Sequence, residues 1–205
     1  MRYRSLGDTG LKVSEISLGT AEIGLEYGFK GSAHYGKPDV KESIRLLHTA
    51  LDHGINLIDT ARVYGNSEEV IGQALEGMTV PPYIASKVFL SKNATEKTSS
   101  ALHEEIFSSI EASLRALRLD ALDLLLIHNT ALEHLRREEI LACLEEAQQQ
   151  GKVRFLGASS MAFWKSTITA APAWRAGFSA RRLTRGANSH RSSADRSPAR
   201  TIMRW

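Results

Sequence analysis

The feature that most constrains this 205-residue chain is a regular alternation of short apolar runs with longer segments of helical apolar period. Each run is too short for a helix and is typical of a strand that is buried on both faces. Such an alternation predicts a parallel sheet whose strands are connected by helices. The predicted strands are Ile16–Thr20, Ile55–Ile58, Tyr83–Ser86, Leu122–Ile127 and Val153–Gly157.

The helical segments between these runs carry start signals. Asp39 is followed three residues later by Glu42, which fits a capping box, and Asn66 with Glu69 repeats the pattern. Right-handed crossovers of this length form either a barrel or a doubly wound sheet. No glycine-rich turn of the dinucleotide-binding type follows the first strand, which favours the barrel. The predicted fold is an α/β (β/α)8 TIM-barrel type, incomplete at about five βα units, with an N-terminal β-hairpin.

The charge distribution changes near residue 160. Residues 1–160 hold 17 Lys and Arg against 22 Asp and Glu, whereas residues 161–205 hold 9 Lys and Arg against one acid. This change predicts a partial barrel over 1–160 and a basic, Arg/Ala/Ser-rich, mostly disordered tail over 161–205. Because a complete barrel takes about 250 residues, three strands are expected to be missing.

Three interpretations of the basic tail stay open. Its composition fits a reading-frame shift in a GC-rich gene, which would leave the barrel truncated, and it also fits an ordinary disordered extension. Clustered arginines attract phosphate groups as well. Since no DNA- or RNA-binding motif accompanies these arginines, we expect no nucleic-acid partner.

The cysteine and apolar content indicate the compartment. Cys143 is the single cysteine, which excludes an intramolecular disulfide and fits a reducing environment. No apolar stretch of a signal peptide follows Met1, and no run approaches the ~20 residues of a membrane span. The histidines lack a metal-ligand spacing. We therefore expect a cytoplasmic protein without a membrane partner or a metal site.

Four polar residues stand at or just beyond the ends of predicted strands: Asp59, Tyr64, Lys87 and His128. Because the carboxyl ends of parallel strands meet at one rim, these side chains are expected to converge. The set suits carbonyl reduction. An ammonium stabilises a neighbouring phenolate, so Lys87 would assist Tyr64 as a general acid. Asp59 would hold Lys87, and His128 would donate a hydrogen bond to the substrate carbonyl.

The motifs that contain these residues resemble the aldo-keto reductase family over residues 1–160. The motifs are Asp59-Thr60-Ala61 with Tyr64-Gly65, Ser86-Lys87, Leu125-Leu126-Ile127-His128, Gly151-Lys152-Val153-Arg154 and Gly157-Ala158-Ser159-Ser160. The resemblance implies that Asp59, Tyr64, Lys87 and His128 form a catalytic tetrad in which Tyr64 donates the proton.

The resemblance also implies a cofactor and a substrate class. The cofactor would be NADPH, with NADH as the alternative, extended across the rim of the barrel. The implied cofactor contacts are Thr20, Asp59, Ser159 and Ser160, and Ser160 departs from the asparagine often found there. The implied substrate is a small carbonyl compound.

Each of the four polar residues also has an ordinary explanation, as a capping carboxylate, a packing aromatic, a solvated strand end or a structural histidine. The predicted function is an NAD(P)H-dependent oxidoreductase that reduces aldehydes or ketones to alcohols and is impaired by truncation. The alternative is an inactive module that binds a nucleotide or a partner. Open strand edges of a partial barrel also favour self-association.

Overall fold

A computed structural model describes residues 1–27, 30–31, 35–130 and 132–159. In chain order the elements are β1 (Tyr3–Ser5), β2 (Lys12–Ser14), β3 (Leu18–Gly19), α1 (Ala21–Gly24), α2 (Val40–Asp52), β4 (Leu57–Asp59), α3 (Ser67–Ala74), β5 (Tyr83–Phe89), α4 (Ser99–Leu117), β6 (Leu122–His128), α5 (Leu132–Arg136), α6 (Glu138–Gln149) and β7 (Val153–Ala158). The predicted disorder of residues 161–205 and the predicted role of Ser160 lie outside the described residues.

The described strands form the predicted parallel sheet. β3, β4, β5, β6 and β7 are hydrogen-bonded in that order, and every neighbouring pair is parallel. β1 and β2 form the predicted antiparallel hairpin. The helices that follow the strands make this a series of βα units, which confirms the predicted fold class.

Every strand of the sheet differs from its predicted bounds by one to three residues at an end, and the largest difference is at the end of β5. β5 continues to Phe89, so Lys87 lies inside the strand and not at its end. The reason is that β5 stays paired with β6 as far as Phe89, which lies opposite His128. β3 contains only Leu18 and Gly19 and is shorter than the apolar run suggested. Strand length is thus set by the neighbouring strand as well as by local hydrophobicity.

The two faces of the sheet carry different side chains because successive residues of a strand point to opposite sides. Ile58, Ile84 and other residues of one face belong to the main apolar core together with buried residues of α2, α3, α4 and α6. Leu57 and Ala85 of the other face belong to a smaller cluster with Leu11 at the hairpin. We call this smaller group the hairpin cluster. It covers the second face near the start of the strands.

One of the two predicted helix caps forms. The Asp39 side chain accepts a hydrogen bond from the amide of Glu42 at 2.7 Å, which confirms the capping prediction for α2. The cap prediction for Asn66 is wrong, since its side chain makes no capping hydrogen bond at the start of α3. Its Oδ1 atom accepts a hydrogen bond from Lys37 at 2.6 Å. A partner far away in the sequence has therefore replaced the local one.

Cys143 is a free and buried cysteine on α6. Over the described ranges, no helix combines the length and apolar character that crossing a bilayer requires. The cytoplasmic location, the boundary at residue 160 and self-association through the outer strands β3 and β7 stay predictions.

Gly72 allows α3 and α4 to pack closely. A Cβ atom at this position would lie 2.3 Å from the carbonyl oxygen of Ala116 and 3.0 Å from the carbonyl carbon of Leu117. Both are backbone atoms of α4, so a change of rotamer cannot relieve the overlap. The contact between these two helices therefore depends on the absence of a side chain.

We expect Gly72→Ala to destabilise the chain by about 1–3 kcal/mol through this overlap, although alanine is the better helix former by about 1 kcal/mol. Urea denaturation followed by circular dichroism measures the change. Gln73→Ala, at an exposed position of the same helix, is the control and should stay within about 0.5 kcal/mol of wild type. A Gly72→Ala variant at least as stable as wild type would contradict this packing argument.

Candidate active site

Asp59, Lys87 and His128 project from the same face of the sheet. On its own strand, each follows a residue of the hairpin cluster by two or four positions. Because side chains two positions apart in a strand point to the same side, each of the three lies on the face of the hairpin cluster. Asp59 is paired in the ladder with Ala85, two residues before Lys87. The three side chains therefore lie beyond the hairpin cluster, toward the carboxyl ends of the strands.

Lys87 and Asp59 form a buried ion pair. The Lys87 ammonium donates to Asp59 Oδ1 at 2.5 Å and to the carbonyl oxygen of Thr60 at 3.0 Å. The side chains of Lys87 and Asp59 are only 5% and 15% exposed. Water therefore contributes little to the solvation of either charge, and each depends on the other.

Tyr64 and His128 complete the group. The Lys87 ammonium lies 5.0 Å from the centre of the Tyr64 ring. The rings of Tyr64 and His128 meet edge to face, with centres 5.6 Å apart and planes at 87°. The structure thus brings the four predicted tetrad residues together at one rim, while their catalytic roles stay predictions.

The surroundings alter the protonation of two of these groups. Burial raises the pKa of Asp59, and the Lys87 charge and hydrogen bond oppose that rise. Burial and the nearby Lys87 charge lower the pKa of His128 from 6.5 to about 4. Asp59 Oδ2 and His128 Nδ1 are buried without a hydrogen-bond partner among the described residues. The site thus contains an imidazole that is neutral at pH 7 and a carboxylate oxygen without a partner among the described residues.

Tyr64 lies in the loop between β4 and α3, and close backbone contacts fix that loop. The amide of Tyr64 donates to the carbonyl of Ala61 at 2.9 Å. A Cβ atom on Gly24 would lie 1.6 Å from the carbonyl oxygen of Tyr64. A Cβ atom on Gly65 would lie 2.2 Å from the carbonyl oxygen of Gly24, and Gly65 has a φ of 56°. Only glycine fits at these two facing positions.

Three buried hydroxyl groups hold the backbone at Asp59. The Thr20 hydroxyl donates to the carbonyl oxygen of Asp59 at 3.0 Å and accepts from the Ser67 hydroxyl at 2.8 Å. The Ser67 oxygen also lies 3.2 Å from the Thr60 hydroxyl oxygen. These contacts connect the end of β4 to the start of α3. The predicted contact of Thr20 with a cofactor stays a prediction.

Ser159 follows β7 at the same rim. Its amide donates to the carbonyl of Ile127 at 2.8 Å, and its carbonyl accepts from the amide of Thr130 at 2.9 Å. These bonds place Ser159 beside the end of β6, which carries His128. Its cofactor role stays a prediction, and Ser160 lies outside the described residues.

The sequence prediction missed Phe89 at this site. Phe89 is 45% exposed and meets the His128 ring edge to face, with centres 6.2 Å apart. The sequence does not place Phe89 here, because the predicted strand ends at Ser86. The signal was present, since Phe89 follows Ala85 and Lys87 at the strand period of two.

A parallel sheet of successive βα units with a polar site at the carboxyl ends of its strands is the architecture of TIM-barrel enzymes. The family model described as "Aldo/keto reductase family" matches residues 15–180. The chain belongs to this family. The match continues past the boundary predicted at residue 160.

Individual family members align with most of this chain. Aldo-keto reductase YhdN from Bacillus subtilis is 35% identical over 164 residues, covering 78% of this chain and 47% of that protein. Versiconal hemiacetal acetate reductase from Aspergillus parasiticus is 31% identical over 194 residues, covering 80% and 52%. The solved holo form of aldo-keto reductase AKR11C1 from Bacillus halodurans matches with a TM-score of 0.61 and 27% identity, covering 78% and 51%. The chain spans about half the length of the curated relatives it matches.

The buried ion pair predicts strong coupling between Asp59 and Lys87. We expect Lys87→Met to cost about 3 kcal/mol because it leaves a buried carboxylate without a counter-charge. The double variant Asp59→Asn/Lys87→Met should cost less than the two single changes together, by about 0.5–3 kcal/mol. Urea denaturation of the four proteins measures this. The exposed pair Glu42–Arg45 is the control, and its coupling energy should be zero within experimental error. Additive effects of the changes at Asp59 and Lys87 would contradict the interpretation.

The lowered pKa of His128 predicts a pH dependence. Between pH 6.5 and about 4 the unfolded chain takes up a proton at His128 that the folded chain does not, so stability should fall as the pH drops through this range. NMR titration of the His128 ring signals should give a midpoint near 4. In His128→Asn, this part of the pH dependence of stability should be absent. A midpoint at or above the ordinary histidine value would show that the ring is not desolvated as described.

Proposed function

We propose that this protein is an NADPH-dependent oxidoreductase that reduces aldehydes or ketones to alcohols. The observation that carries the proposal is the Lys87 ammonium, which lies 5.0 Å from the centre of the Tyr64 ring and is held by Asp59. A phenol beside a fixed ammonium is suited to general acid catalysis. Membership of the aldo/keto reductase family supports the same reaction class.

The residues at this rim fit a nicotinamide cofactor. Asp59 Oδ2 is a buried acceptor without a partner among the described residues, which suits a hydroxyl or amide donor of such a cofactor. We propose that Asp59 and Ser159 hold the cofactor, with Thr20 and Ser160 as further proposed contacts. When bound there, the reduced nicotinamide supplies a hydride to the carbonyl carbon.

Tyr64 supplies the proton in this proposal. As the substrate carbonyl oxygen gains negative charge, the Tyr64 O–H bond breaks and the O–H bond of the alcohol forms. The positive charge of Lys87 stabilises the phenolate that remains. Asp59 provides the counter-charge that the buried ammonium needs and keeps the Lys87 side chain in place through its hydrogen bond.

His128 orients the substrate carbonyl. With a pKa of about 4, its imidazole is neutral at pH 7 and carries one N–H donor. A neutral donor can polarise the carbonyl oxygen and leaves the proton transfer itself to Tyr64. The Phe89 ring beside His128 offers an apolar surface, which suits an aromatic or apolar carbonyl compound.

NADPH is proposed over NADH on the strength of the family resemblance. Parallel assays with the two cofactors compare them directly. The second candidate function is a module that binds a nucleotide or a partner without turnover. Binding of NADPH in the absence of turnover would favour it.

Tyr64→Phe tests the proposal because it removes the proton donor and keeps the ring. We expect kcat for the NADPH-dependent reduction of 4-nitrobenzaldehyde to fall by about 10²–10⁴-fold, with NADPH affinity retained. The loss of NADPH absorbance measures turnover, and NADPH fluorescence measures binding.

Tyr83→Phe is the matched control for this substitution. Tyr83 packs against the hairpin cluster at the start of β5, far from the rim, so its hydroxyl should not affect turnover. Equal turnover in Tyr64→Phe and in wild type would contradict the proposed role of Tyr64 as proton donor. A wild-type chain that neither binds NADPH nor reduces the aldehyde would refute the proposed function.

A further inference from the structure

Glu68, in the first turn of α3, is a carboxylate with almost no contact with solvent. Its side chain is 1% exposed. Glu68 Oε1 accepts from the Ser86 hydroxyl at 2.5 Å, and Oε2 accepts from the Arg62 guanidinium at 2.8 Å. Burial and the nearby Glu69 charge raise the pKa of Glu68, and the hydrogen bonds from Ser86 and Ser113 and the charge of Arg62 only partly oppose that rise. A buried carboxylate of this kind is held in place by its partners.

Arg62 spans the loop that carries Tyr64. Its Nη1 atom donates to Glu68, and its Nη2 atom donates to the carbonyl of Gly65 at 3.3 Å and to Glu69 at 2.7 Å. Arg62 precedes Tyr64 by two residues and Gly65 follows it. The guanidinium group therefore connects the chain on both sides of Tyr64 to the start of α3.

We propose that Arg62 and Glu68 are positioning residues that hold the Tyr64 ring in its place against Lys87 and His128. Ser86 directly precedes Lys87 in β5, and its side chain points to the opposite face of the sheet. Glu68 thus binds the strand that carries Lys87, and Arg62 binds the loop that carries Tyr64. The inference rests on the proposed function for the catalytic roles of Tyr64 and Lys87, whereas the positioning itself is measurable without turnover.

The two carboxylates that bind Arg62 differ in their surroundings. Glu68 is buried and bound to β5, whereas the Glu69 side chain is 43% exposed. The Arg62–Glu69 pair is partly exposed, so water solvates part of the Glu69 charge and the pair contributes less than a fully buried one. Loss of a buried partner leaves an unpaired charge in the interior. The positioning effect should therefore depend on Glu68 and not on Glu69.

The test measures the contact between the rings of Tyr64 and His128, whose centres are 5.6 Å apart. In the full chain with labelled tyrosine and histidine, a nuclear Overhauser effect should connect the two rings. Arg62→Ala and Glu68→Gln should weaken this effect about threefold or more, since a shift of about 1 Å suffices to disturb such geometry. Glu69→Gln is the matched control and should keep the wild-type contact.

A second variant keeps the test decisive if circular dichroism shows that Arg62→Ala does not fold. Arg62→Lys keeps a positive charge beside Glu68 but lacks the planar group that reaches both Glu68 and the Gly65 carbonyl. A weakened ring contact in folded Arg62→Lys supports the inference. A contact of wild-type strength in a folded Arg62 variant overturns it.

Turnover adds a second readout. We expect Arg62→Ala to lower kcat about tenfold with KM unchanged, and added guanidinium to restore part of the loss. Loss of turnover without such restoration, together with an intact ring contact, would overturn the positioning role and leave the proposed function standing. An inactive wild-type chain would refute the proposed function, while the ring contact would still decide the positioning role.

Discussion

A lysine ammonium that is buried against a sheet needs a counter-charge within reach, and Lys87 finds it in Asp59 on the neighbouring strand. This requirement fixes the register of β4 and β5, since a slip by one residue would turn the Asp59 side chain toward the helices. The hydrogen bond from Thr20 holds the Asp59 backbone in the position that the pair requires. The ion pair, the register and the buried hydroxyl groups therefore depend on one another.

Successive side chains of β5 point to opposite faces of the sheet and make different contacts there. Lys87 points toward the rim where Tyr64 and His128 meet, whereas its neighbour Ser86 binds Glu68 in the helix layer. The ion pair at the rim and the contact with the helix layer are thus encoded in adjacent residues. The apolar hairpin cluster occupies the start of the strands on the face of Asp59 and Lys87, and these polar groups lie toward the carboxyl ends.

Local patterns predicted the parts of the structure that depend on local causes. Short apolar runs located the strands, and the common direction of parallel strands predicted that Asp59, Lys87 and His128 would meet. Other features depend on distant partners. The end of β5 follows from pairing with β6, and Lys37 binds Asn66 in place of the expected cap. The sequence does not predict the buried position of Glu68, because helical spacing alone does not reveal that a carboxylate in a first turn points inward.

The facing backbones of Gly24 and Gly65 carry a consequence for protein engineering. Each position leaves no room for a methyl group, because the other segment's carbonyl oxygen occupies that space. A combinatorial library that randomises the residues around Tyr64 to change the substrate range would lose most members altered at either glycine. Val63, whose side chain is exposed in the same loop, offers a tolerant position for such diversification.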